Sequence, residues 1–146
     1  MVSIINEPKG ISYFRLLEYL LKTCDKFSLT IRDGLWKDYS AYSFLESLES
    51  YLIDIIIGED FSFNNYCDGK VYIYRLTKES LEILKGSSQG LYDWQHPGLP
   101  EDLSFFDKDW YGKLISVAHE GIGSFDIADE DELIWVRDYI GLEVCL

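Results

Sequence analysis

The chain has 146 residues, of which 47% are apolar and 16% aromatic, and it carries a formal net charge of -13. That much apolar material excludes a disordered chain, and a charge of that sign argues against phosphate backbones or anionic membranes as direct partners. The charge is also uneven: residues 1–50 hold six basic and seven acidic side chains, residues 51–146 seven and nineteen.

The opening MVSIINEPKG lacks a basic end followed by an apolar run, so no secretory signal is expected. Residues 12–24 place Tyr13, Leu16, Leu17, Leu20, Leu21 and Cys24 on one helical face, with Ser12 as the expected cap. FSLTIR then alternates strictly, which predicts a half-buried strand ended by Asp33-Gly34. Residues 39–57 fit a helix to about residue 54, and the β-branched run at 55–57 leaves the end open between helix and strand. The run YLIDIII is too short to cross a bilayer. KVYIYRLT is a predicted strand, and Thr77 is the expected cap of a short helix closed by Gly86.

Beyond the SSQG turn, HPGLP must be extended or turning, since proline biases its predecessor away from helix. LSFF and KLISVAH read as strands joined by a DKDWYG turn, with a third strand in GSFDI. DEDELIWVRDYIG reads as a helix capped by Asp129 and ended by Gly141. The expected architecture is a single α+β domain over residues 1–146, a mainly antiparallel sheet flanked by helices.

Chemical motifs are sparse. There is no GxSxG, HExxH, Walker or GxGxxG pattern, and with His96 and His119 as the two histidines no metal ligand set is expected. Cys24, Cys67 and Cys145 are odd in number and widely spaced, which predicts reduced thiols and a cytoplasmic protein. His119 and Glu120 would point to opposite faces of a strand, and Glu101-Asp102 reads as a cap or a solvated turn. No enzyme and no cofactor are expected; the weaker alternative is a small hydrolase using His119 and Glu101/Asp102.

Aromatic residues among carboxylates fit a binding face better. Asp93, Trp94, Asp107, Asp109 and Trp110 are the predicted contacts, with Glu130 and Asp131 as a second patch for a basic protein partner. Trp94 and Phe105 are equally readable as core.

The stretch LYDWQHPGLPEDLSFF, followed by Trp110 and SVAHE, resembles a family of small bacterial proteins with an LYxWxxPxLPEDLxFF segment and a strand ending in HE. Some of these look like immunity proteins, the antitoxins of polymorphic and LXG-type toxin systems. Many members carry cysteine after PEDL where this chain has Ser104. The resemblance covers about thirty residues and implies an acidic inhibitor that blocks the basic groove of a nuclease toxin. An intracellular adaptor with an unrelated partner is the alternative binding role.

Overall fold

The computed structural model describes residues 1–33, 40–57 and 69–146. Cys67 and the Gly34 end of the predicted turn lie outside the described residues. Eight strands form one antiparallel sheet: β1 (Val2–Ile4), β2 (Lys26–Arg32), β3 (Leu52–Ile57), β4 (Gly69–Arg75), β5 (Glu101–Phe106), β6 (Gly112–Val117), β7 (Ile122–Phe125) and β8 (Val144–Cys145). Their spatial order is β3-β4-β2-β5-β6-β7-β1-β8. Among the described residues four α-helices accompany them: α1 (Ile11–Thr23), α2 (Ser40–Ser47), α3 (Lys78–Ser87) and α4 (Glu130–Ile134), which widens into a π-helical segment at Trp135–Ile140. The expected α+β architecture is the one observed.

One row of side chains runs across the sheet: Tyr74 pairs with Phe27, Phe27 with Phe105, Phe105 with Leu114, Leu114 with Phe125, and Phe125 with Val2. Phe27 stacks on Tyr74 with ring centroids 5.2 Å apart. Tyr13, Leu16, Leu17 and Leu20 of α1 and Leu81 and Leu84 of α3 are buried in the same core cluster. Each such side chain contributes roughly 1.5–3 kcal/mol on burial. The other face holds a smaller cluster of Val71, Ile73 and Phe106.

That second cluster explains a difference from the alternation in FSLTIR. Ser28 and Thr30, assigned to solvent, are buried because β2 lies inside the sheet with Val71 and Ile73 beside them. Several local expectations also change. Residues 40–47 are helix, but residues 52–57 are strand, since the β-branched run pairs with β4 through a bulge between Leu52 and Asp54. α1 is capped by Gly10 in a left-handed turn, without a side-chain bond from Ser12. Thr77 does cap α3 and exchanges bonds with Ser80, yet the helix continues past Gly86 to Ser87.

β8 at one edge has two residues. β3 at the other has six, and it exposes Ile53, Ile55 and Ile57. No helix is long and apolar enough to cross a membrane among the described residues.

Candidate functional site

Two assemblies of polar residues stand out, at opposite ends of the central strands. The first forms where β2 ends and β5 begins. Thr30 pairs with Glu101, and a register shift follows in β5. Asp102 occupies this irregularity with φ of +61°, a conformation that aspartate and asparagine tolerate better than most residues. Its N–H donates to the Trp94 carbonyl at 3.2 Å, and its Oδ1 accepts from the Ala118 N–H at 3.0 Å.

Arg32 is the cation of this site. Its Nε donates to Glu101 Oε2, and its Nη2 donates to Asp102 Oδ2 at 3.1 Å. Glu101 and Asp102 are only 6% and 4% exposed, so they are neither a cap nor a solvated turn; two carboxylates share one guanidinium inside the fold. Burial pushes the Asp102 pKa up, against the Ala118 N–H and the Arg32 charge, with Glu101 adding repulsion. Such a pair is stable only while the cation stays in place.

Both histidines reach the same site. The Arg32 N–H donates to His96 Nε2 at 3.2 Å, which puts the proton of the neutral ring on Nδ1. That Nδ1 is buried without a hydrogen-bond partner among the described residues; the Leu99 backbone lies near enough to favour the protonated ring but outside hydrogen-bond geometry. Burial dominates and holds the His96 pKa below its ordinary value. His119 lies in a 3-10 turn, Ala118–Glu120, and not on a strand as expected. The turn brings its Nδ1 to 4.0 Å from Glu101 Oε2 and its Nε2 to 3.8 Å from Glu120 Oε1, so these neighbours do face one another.

Ligand atoms of Glu101, Asp102 and His119 lie within 4.8 Å of one another, the one such grouping that could hold a metal ion among the described residues. The guanidinium already bridges both carboxylates, so a divalent ion would have to displace it against charge repulsion. The hydroxyl beside the cluster, Ser104 Oγ, is already engaged: it donates to the Asp102 carbonyl and accepts from the Ser116 N–H, all of it buried. As arranged, the cluster locks β2, β5 and the turn after β6 together.

The second assembly is at the other end of β5. Asp107 Oδ1 accepts from the N–H groups of Asp109 and Tyr111 at 2.9 and 3.0 Å, so this carboxylate holds the turn itself. The turn lifts Trp110 to φ of +66° and leaves it 40% exposed beside Tyr111 at 69%. Lys26 Nζ sits 4.7 Å from the Trp110 ring centroid, a cation–π contact.

Antiparallel pairing carries the end of β7 to this place. The Asp126 N–H donates to the Lys113 carbonyl, and Lys113 Nζ donates to the Asp126 carbonyl and to Glu132 Oε1, both at 2.6 Å. Glu132 also accepts from Tyr19 and from the Ala128 N–H at 2.9 Å. Burial alone would raise the Glu132 pKa, but the Lys113, Tyr19 and Ala128 donors outweigh it and hold the carboxyl below its usual range. Asp129 caps α4 by accepting from the Glu132 N–H, leaving Glu130 and Asp131 exposed in the first turn.

Comparison with protein-family models, with curated proteins and with solved structures found no match.

Of the sequence-predicted contacts, Asp107, Asp109 and Trp110 share the turn between β5 and β6, and Glu130 and Asp131 lie exposed on α4, whose Glu132 is tied to Lys113 near the start of β6. Asp93 and Trp94 are not among them, because they precede β5 and lie at its other end. Asp93 is exposed and accepts from the Gln89 N–H. Trp94 is fully buried, and its Nε1 donates to the Tyr13 hydroxyl at 2.8 Å, so it offers no contact surface and belongs to the core. Sequence reasoning missed Arg32, Tyr111 and the exposed, stacked pair Trp135 and Tyr139. The last pair carried a signal in its i, i+4 spacing.

Proposed function

We propose that this chain is a non-catalytic binding protein that neutralises a basic protein partner, in the manner of a cytoplasmic immunity protein facing a nuclease toxin. The observation that carries this reading is the exposure of Trp110 and Tyr111 beside the exposed Asp109 in the turn after β5, with Glu130 and Asp131 exposed as a second acidic patch on α4. The rings supply apolar anchors that lose little entropy on binding, and the carboxylates pair with the Lys and Arg side chains that a nuclease uses for phosphate. Asp107 serves by holding the turn. The net charge of -13 steers a cationic partner toward the molecule before contact.

The test is co-expression with the cognate toxin that this reading requires a neighbouring gene to encode. The reading expects protection of the cells, a complex that weakens with salt, and at least a thirtyfold affinity loss in Trp110→Ala, about 2 kcal/mol. Absence of protection, or a complex indifferent to Trp110, would overturn it.

A second reading is favoured by the meeting of Glu101, Asp102, His96 and His119 around Arg32. It is a small hydrolase in which His119, the exposed member, handles the proton. It requires turnover that Glu101→Gln and His119→Asn both abolish in folded protein.

A further inference from the structure

α2 presents two stripes. Ala41, Phe44 and Leu48 turn toward the core, where Phe44 meets Trp94 edge-on at 5.2 Å. Tyr42, Leu45 and Glu46 of α2, with Glu49 in the 3-10 turn that follows it, instead line a groove of about 780 Å³. Its other walls are Leu52 of β3, Lys70, Tyr72 and Tyr74 of β4, and Ile31, Arg32 and Asp33 at the end of β2. The volume falls in the range of small-molecule sites.

The lining is amphipathic in a specific way. The half-buried Tyr42, Tyr72, Leu45 and Leu52 give stacking and apolar surface over the buried Tyr74 and Ile31, and tyrosine faces attract cations. Burial and the nearby Tyr42 raise the Tyr72 pKa, so its hydroxyl stays neutral. Asp33, Glu46 and Glu49 make no ion pair among the described residues. Of the two bases, Arg32 already faces two carboxylates, so Lys70 stands against three acids. The groove therefore has an apolar, aromatic floor and an excess of negative charge at its rim.

We infer that this groove is a binding site for an amphipathic organic cation, an ammonium or guanidinium carried on an aromatic or alkyl stem. The stem lies on Tyr72, Leu45 and Leu52, and the charged head meets Glu46, Glu49 and Asp33. The site is separate from the Trp110 face and does not depend on the toxin partner.

The experiment is an NMR titration of the protein with 4-phenylbutylammonium, alongside neutral 4-phenylbutanol, following Tyr42, Tyr72 and Leu45 signals. Saturable shifts are expected at these residues, with the ammonium bound about fivefold or more tightly than the alcohol. The exposed pair of substitutions Glu46→Gln and Glu49→Gln should bring that ratio close to one while the rest of the spectrum stays that of the folded chain. No saturable shift there, equal binding of alcohol and ammonium, or an unchanged ratio in the double variant would each overturn the assignment.

Discussion

Replacing Arg32 with methionine removes the guanidinium that bridges Glu101 and Asp102 but keeps a stem of similar shape. Both carboxylates are more than nine-tenths buried, and the Arg32 side chain itself is 29% exposed. Breaking a buried pair from one side costs about 3–5 kcal/mol, and the partial exposure of the arginine puts the expected loss near roughly 3 kcal/mol. With a urea slope of about 1.5–3 kcal/mol/M, the midpoint should fall by about 1–2 M at pH 7.5.

The pH dependence makes the test specific. Asp102 has a raised pKa in the folded chain, so its penalty is full above that value and fades as pH falls toward the ordinary carboxyl range. Without Arg32 the Asp102 carboxyl binds its proton more tightly still, so the deficit should shrink between pH 7.5 and pH 5. Adding Glu101→Gln and Asp102→Asn to Arg32→Met should restore part of the stability. A variant as stable as the parent, or a deficit independent of pH, would refute the idea of two charges sharing one cation.

Further outcomes follow from other contacts. Trp94→Phe keeps the ring but removes the donor to Tyr13, and should lower stability by about 1–3 kcal/mol in thermal melts without altering binding at the Trp110 end. Glu132→Gln should cost roughly 3 kcal/mol by stranding Lys113. Because the folded Glu132 pKa is depressed, its contribution is present above the unfolded value and lost as pH falls through the folded one, so the acid side of the stability curve should flatten in this variant. His96 should titrate by NMR below its ordinary value, since burial favours the neutral ring and Nε2 must accept from Arg32; a midpoint above 6.5 would contradict that geometry.

How legible this was depends on the range of the interactions. β5, β6, β7 and the α4 cap follow from short alternations, turn residues and an Asp-x-x-Glu pattern, all of them local. Residues 52–54 misled and 55–57 stayed open between helix and strand, because leucines and isoleucines at helical spacing continue into a β-branched run whose partner, β4, settles the matter. β1 and β8 are too short for any period to register. The candidate sites divide the same way. The Trp110 turn and the α4 acids are each visible as local clusters. The buried pair at Glu101 and Asp102 was hidden altogether, since Arg32 lies 69 and 70 residues away in the chain. Trp94 looked like a contact among acids and became core because α1 supplied Tyr13.

The unequal borders of the sheet limit how this molecule could join another by main-chain pairing. An incoming strand finds six residues to zip against on the isoleucine side and only two on the far side. Two copies joined along their long borders would turn their short ones outward, so stacking of this kind closes at a pair and cannot propagate into a fibre.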